Sequence, residues 1–285
     1  LVIPTDDTWK SSVGPHVYNN IYSDETYDAC KENPDWNKAG FDDGKWDNAV
    51  YAKAPSSLLV SQTMQPMRIT KEYPALSVQS FGDTVYVFDM GINLTGVCNI
   101  KLRGEKGTKI TLTHGELIKN NGRIEMRNLD IYYKPIKGID FQTDTYFMKG
   151  EGEESFTPEF TYHGFRYVEL KSDRPVVLGK EDITAYFIHT DLEKVGHFSC
   201  SNELLNKIWA ATNQSYLCNL HSIPTDCPQR EKNGWTADGH VAIDLALLNF
   251  DGIKFYEKWM DDFTDNQRPE GNISGIIPSS GWGYD

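Results

Sequence analysis

The 285-residue sequence carries none of the short signatures that announce a cofactor. There is no nucleophile elbow, no phosphate loop and no dinucleotide fingerprint, and the glycines at 104, 107, 150 and 152 read as turns. Cysteine is scarce and odd in number. Cys30, Cys98, Cys200, Cys218 and Cys227 are widely spaced and fit no zinc pattern, which predicts buried thiols with at most one bridge. His221 and His240 stand nineteen residues apart and no ligand triad is evident, so neither a metal nor another cofactor is expected. No apolar run reaches the roughly 18 residues of a membrane-spanning helix, which argues against a membrane partner. Positive charge is also short. Lys and Arg number 28 against 41 Asp and Glu, a net charge of -13, which leaves no footprint for nucleic acid and argues against anionic partners. No signal peptide is visible, but a chain that begins at Leu1 is open to a removed targeting segment.

What is present is aromatic and strand-like. Seven Trp, 15 Tyr and 13 Phe make up 12% of the chain, which suits a β core or sugar-facing surfaces. Up to about residue 190 the text breaks into short runs. Residues 85–88, 98–103, 109–113, 144–148, 165–170 and 183–188 are apolar or alternating, and turns such as Asn121-Gly122 separate them. This spacing predicts an antiparallel β-sandwich. After Ser199 the period becomes helical. Leu204, Leu205, Ile208 and Trp209 share one face behind a cap at Ser201 or Asn202. Residues 241–250 predict a second helix, apolar nearly all round. Ile253, Phe255, Trp259 and Phe263 suggest a third, and residues 268–283 read as loop. Three helices are too few to bury the second one. The expectation is a fragment of a longer chain, or a chain whose missing surface comes from a tight complex.

Between the first two helices lies HSIPTDCPQREKNGWTADGH, residues 221–240. Pro224, Pro228 and Gly234 forbid a continuous helix, so the stretch is a shaped loop leading into a helix near Thr236. Side chains on such a loop can converge on one point. Arg230 offers a fixed fork of donors to a carboxylate or a sugar hydroxyl. Trp235 offers a flat wall suited to the apolar face of a pyranose. A carboxyl packed beside a tryptophan can hold its proton near neutral pH, as a general acid must. The residues alone stay open to a plainer reading: Asp226 caps a turn, Arg230 pairs with Glu231 or Asp238, and Trp235 is core.

The block from Pro224 to Asp238, PTDCPQREKNGWTAD, resembles bacterial α-L-rhamnosidases, whose catalytic domain is an (α/α)6 barrel. Residues 25–29 (ETYDA) and 41–46 (FDDGKW) resemble that family's amino-terminal sandwich module. Residues 87–93 with Gly96, and 160–167 (FTYHGFRY), resemble the sandwich ahead of the barrel. The resemblance runs over nearly the whole chain. It implies a multidomain protein: part of an amino-terminal β-sandwich module at 1–70, a second β-sandwich at 71–192, and the truncated start of the helical barrel at 193–285.

By matching position, the resemblance makes Glu231 the general acid. It makes Asp226, Arg230 and Asp238 the groups that grip the hydroxyls of a terminal rhamnose, and Trp235 a wall against its ring or methyl. The reaction implied is inverting hydrolysis of a rhamnose-terminated glycan or glycoside. In such a reaction a second carboxylate activates water across a gap of roughly 6.5–9.5 Å. The family's base is a glutamate further along the barrel. The chain is therefore expected to need the remainder of its polypeptide, and to be inactive alone. Two departures are visible. Cys30 stands where family members often carry Arg, and the loop is one residue shorter than in some members, leaving Glu231 its only glutamate. His163 reads as a structural hydrogen-bonding group, and Trp282 as a loop aromatic that can reach the pocket. Competing readings are a non-catalytic carbohydrate-binding module, a barrel glycosidase with another sugar preference, and a non-enzymatic structural fragment. The resemblance favours a periplasmic or secreted location over a cytoplasmic one.

Overall fold

The computed structural model describes residues 3–54, 56, 58–130, 140–279, 281 and 283–284. Ten strands form one sheet: β1 (His16–Asn19), β2 (Glu25–Asp28), β3 (Met67–Pro74), β4 (Ser77–Ser80), β5 (Val85–Arg103), β6 (Lys109–Gly115), β7 (Thr143–Phe147), β8 (Glu153–Phe156), β9 (His163–Ser172) and β10 (Ile183–Thr190). The order is β1-β2-β7-β6-β9-β5-β10-β3, with β4 and β8 also paired to β5. All of these pairings are antiparallel except β2 with β7, which run parallel through Thr26–Thr145, Tyr27–Tyr146 and Asp28–Phe147. That pair splices the first 70 residues into the sheet of the next region.

Strand β5 explains the curl. Two of the runs visible in the sequence, 85–88 and 98–103, are the two ends of this single 19-residue strand. Its first half pairs with β4 and β9, and its second half with β10 and β8. Between them Gly91 has φ +79°, and Asp89 accepts a hydrogen bond from the Gly91 N–H at 2.7 Å. Gly96 must be glycine, because a Cβ there would lie 1.8 Å from the Tyr186 carbonyl oxygen. The bend is braced from β9, where Arg166 makes two hydrogen bonds of 2.9 Å to the Asp89 carboxylate. The curled sheet closes over Phe88, Met90, Leu94, Cys98, Ile100, Leu112, Phe165 and Leu170.

The helices are α1 (Glu203–Cys218), α2 (Thr236–Asn249) and α3 (Ile253–Asn266). Asn202 caps α1 by accepting from the Leu204 N–H at 3.0 Å. Helix α2 starts five residues before the apolar run at 241, since its first turn, Thr236–His240, is polar. A second core joins Tyr216, Leu220, Ala246, Phe250, Phe255, Tyr256, Trp259 and Ile277. The other faces stay open: Leu204 is 64% exposed, Val241 82% and Leu248 75%. This is the architecture expected, a β region followed by the opening helices of an (α/α) barrel.

All five cysteines are free thiols. Cys98 and Cys227 are buried as expected, whereas Cys30 is exposed because it follows β2 at the sheet's rim. No helix among the described residues is long and apolar enough to cross a membrane.

Candidate active site

Segment 219–235 links α1 to α2, and its backbone shape follows from its own sequence. The Asp226 N–H donates to the Asn233 carbonyl at 3.0 Å, and the Asn233 N–H returns a bond to Asp226 Oδ1 at 2.9 Å. This reciprocal pair pinches the mouth of a tight loop, Cys227–Lys232, which Lys232 N–H closes on the Cys227 carbonyl at 3.1 Å. Beyond the mouth, Gly234 lies against the chain at Ile277. A Cβ at 234 would sit 1.9 Å from the Ile277 oxygen, and the Ile277 N–H donates to the Gly234 carbonyl at 2.8 Å. Trp235 bridges to Ile276 and leads directly into α2.

Glu231 sits at the loop tip and accepts a hydrogen bond from the Trp235 indole N–H at 2.9 Å. Trp235 is thus a polar partner of the carboxylate. Asp226 Oδ2 accepts from the Cys227 thiol at 2.8 Å. Burial pushes the Asp226 carboxyl up from its ordinary range, while the bonds from Cys227 and Asn233 pull it down. Oxygens of Asp226 and Glu231 and the Cys227 sulfur all lie within 4.8 Å of one another. That spacing is shorter than the roughly 6.5–9.5 Å of an inverting pair of carboxylates. Arg230 is half-buried, and its Nε has no hydrogen-bond partner among the described residues. A buried guanidinium donor left unpaired is costly, and a ligand hydroxyl is a natural acceptor for it. Asp238 is exposed on the first turn of α2. Trp282 lies outside the described residues.

Two clefts flank the loop. One of about 750 Å³ has Asp226, Cys227, Pro228 and Gln229 on one side, Lys71, Tyr73 and Glu116 from the sheet, and Gln214 from α1. A second, of about 560 Å³, is lined by Trp235, Thr236, Phe263, Ser274 and Gly275. The larger is not the better candidate for chemistry. Glu231 and Arg230 line neither, but Trp235, the hydrogen-bond partner of Glu231, borders the smaller.

Three donors also converge at His114, Asp144 and His163, with donor atoms within 4.8 Å. These side chains are buried and already engaged. His163 Nε2 lies 2.8 Å from Asp144 Oδ2, and His114 Nδ1 lies 3.2 Å from the Gln142 carbonyl. Burial drives the His114 imidazole down to about 3 and lifts Asp144 to about 6, so the group behaves as a hydrogen-bonded core cluster. His163 is thereby a structural group of the sheet. Burial and its bond to Asp226 hold the Cys227 thiol above its ordinary value.

The residue most absent from the sequence-based list is Lys232. It is 5% exposed, and its ammonium donates to the carbonyls of Ile21 and Tyr162. Nothing in the local text marks it, because both acceptors come from distant chain.

Three domain families match the sequence in order: the alpha-L-rhamnosidase N-terminal domain over residues 1–71, the bacterial alpha-L-rhamnosidase concanavalin-like domain over 79–189, and the bacterial alpha-L-rhamnosidase 6 hairpin glycosidase domain over 193–285. An α-L-rhamnosidase of Formosa agariphila is 34% identical over 270 residues, covering 93% of this chain and 27% of that protein. The solved α-L-rhamnosidase of Dictyoglumus thermophilum superposes with a TM-score of 0.90 at 42% identity, covering 99% of this chain and 31% of that one. That of Streptomyces avermitilis, complexed with L-rhamnose, gives 0.88 at 34% identity, covering 98% and 26%. The chain spans less than a third of the length of each of these relatives. With three consecutive domain matches and an architecture superposing along almost its whole length, the chain belongs to the bacterial α-L-rhamnosidase family.

Proposed function

We propose that this chain supplies the acid half of the active centre of an inverting α-L-rhamnosidase. Glu231, held by Trp235 at the tip of a pinched loop, is the single observation that carries this reading. Its carboxyl delivers a proton to the glycosidic oxygen as the bond to the sugar breaks. Asp226 and the open Nε donor of Arg230 stand ready for sugar hydroxyls, and Asp238 reaches them from the start of α2. Trp235 packs its ring face against the pyranose or its methyl group. Such a division suits a 6-deoxy sugar, because a site that hydrogen-bonds the hydroxyls rejects sugars that leave those bonds unmade. The opposite face of the ring is attacked by water. In this reading the base that activates it comes from another part of the whole protein, since Asp226 lies too near Glu231 for that role.

The experiment is Glu231→Gln in the full-length polypeptide. Hydrolysis of p-nitrophenyl α-L-rhamnoside is expected to fall by about 10²–10⁴-fold while rhamnose still binds. An unchanged rate would reject Glu231 as the acid. A panel of aryl glycosides that includes the fucoside and mannoside tests the sugar preference, and faster cleavage of either would reassign the substrate.

A further inference from the structure

Lys232 follows Glu231 directly and combines two costly features. Its backbone has φ +53°, a left-handed conformation that a lysine adopts only when its surroundings impose it. Its side chain is buried without an ion pair among the described residues. Instead the ammonium donates to two main-chain carbonyls and lies 4.4 Å from the centroid of the Tyr162 ring. Burial draws its pKa down to about 7, against the attraction of Asp144.

The setting of Tyr162 shows what the arrangement does. Its other ring contact is His221, stacked at 4.0 Å with the planes 3° apart. His221 lies near the start of the linking segment and Lys232 at the end of its tight loop, so two points of the segment rest on one aromatic ring of the β region. That ring has a firm footing. The next residue, His163, bonds Asp144, whose other oxygen accepts from the Glu25 N–H at 2.9 Å. Ile21, the second acceptor of Lys232, lies on the turn just before Glu25. The loop tip is therefore seated on a polar platform made by two regions remote in sequence. Only one peptide unit separates that seat from Glu231.

We propose that Lys232 is a positioning residue for proton delivery: by fastening the loop to the Ile21 and Tyr162 carbonyls, it holds the Glu231 carboxyl against Trp235 in the place where it meets the leaving-group oxygen. This rests on Glu231 being the general acid. The clamp contributes nothing to sugar binding directly, so its loss falls on the acid step.

The leaving group provides the test. A dinitrophenyl rhamnoside departs with little protonation, whereas an alkyl rhamnoside needs the acid. The full-length polypeptide is compared with Lys232→Met, Lys232→Arg and Glu231→Gln on both substrates, with folding followed by circular dichroism. For Lys232→Met, kcat on the alkyl rhamnoside is expected to drop about tenfold or more beyond any drop on the dinitrophenyl one, with KM little changed. Lys232→Arg, which keeps donors and charge, is expected to recover part of that difference. Equal losses on the two substrates, or none, would overturn the inference and leave Lys232 a structural residue. Should Lys232→Met fail to fold, Lys232→Gln, which keeps a donor without the charge, is read in the same way. Glu231→Gln is the control: if it lacks leaving-group selectivity, the acid assignment itself fails and takes this inference with it; selectivity in Glu231→Gln alone rejects only the role of Lys232.

Discussion

At the scale of single residues, the platform beneath the loop is rich in ionisable groups held away from water, and pH reports on them. Asp24 is 5% exposed and its Oδ1 has no hydrogen-bond partner among the described residues. Burial lifts its carboxyl from 3.8 to about 7, although Ser23 opposes the shift. A carboxyl raised on folding contributes stability that is present below the unfolded value and lost as pH rises through the folded one. The window for Asp24 thus runs from about 4 to about 7. Asp24→Asn is expected to exceed the parent in stability by on the order of 2 kcal/mol at pH 8 and to match it at pH 4. Urea unfolding at the two pH values checks this, and a constant difference would refute it. The same scale shows why some of the site was legible in sequence and some not. Glu231, Arg230 and Trp235 stood out because they crowd one proline-bounded loop. Lys232 did not, because its partners lie 211 and 70 residues away and an isolated lysine reads as solvated.

At the scale of elements, the turn into α2 depends on one glycine. Gly234 lets the loop backbone touch the main chain at Ile277, and any Cβ meets main chain rather than a yielding side chain. Gly234→Ala is expected to cost on the order of 2–4 kcal/mol and to displace Trp235. The denaturation midpoint gives the first figure, and tryptophan fluorescence follows the second. An unchanged midpoint would mean that the segment around Ile277 yields freely. Strand and helix boundaries show the limits of periodicity. The runs at 109–113 and 183–188 are recovered inside β6 and β10, because each keeps one face inward throughout. Periodicity alone splits strand β5 because its interior runs through Gly91 and Gly96: the register with β9 shifts between Asp89 and Leu94, and pairing with β10 takes over from Gly96. Helix α2 begins at Thr236, where the end of the proline- and glycine-broken loop predicts it, although its apolar residues start only at 241.

At the scale of the whole molecule, two cores of different kind share one chain. The core of the sheet is closed, whereas the helices leave Leu204, Val241 and Leu248 facing outward. Exposed apolar faces of this kind call for covering surface. The 285-residue chain by itself is therefore expected to hydrolyse p-nitrophenyl α-L-rhamnoside below detection, while the full-length polypeptide turns it over. Robust turnover by the short chain would mean that both carboxylates of the reaction lie within it. The overall order, β region then helices, was readable from composition and period. The parallel β2–β7 pair was not, since it joins residues more than a hundred positions apart.

The seat of the loop has a consequence for inheritance and for engineering. Ile21, Tyr162 and Lys232 belong to three successive stretches that match three separate domain families. Such families invite treatment as interchangeable cassettes. Here the helical cassette arrives with an amine that needs two carbonyls from its neighbours, and the amino-terminal cassette supplies one of them. Recombination at the seams between them keeps the carbonyls but puts at risk their placement around the Lys232 amine. Chimaeras that exchange residues 16–28, 141–172 and 219–236 together preserve it, so the unit of transfer is the joint rather than the domain.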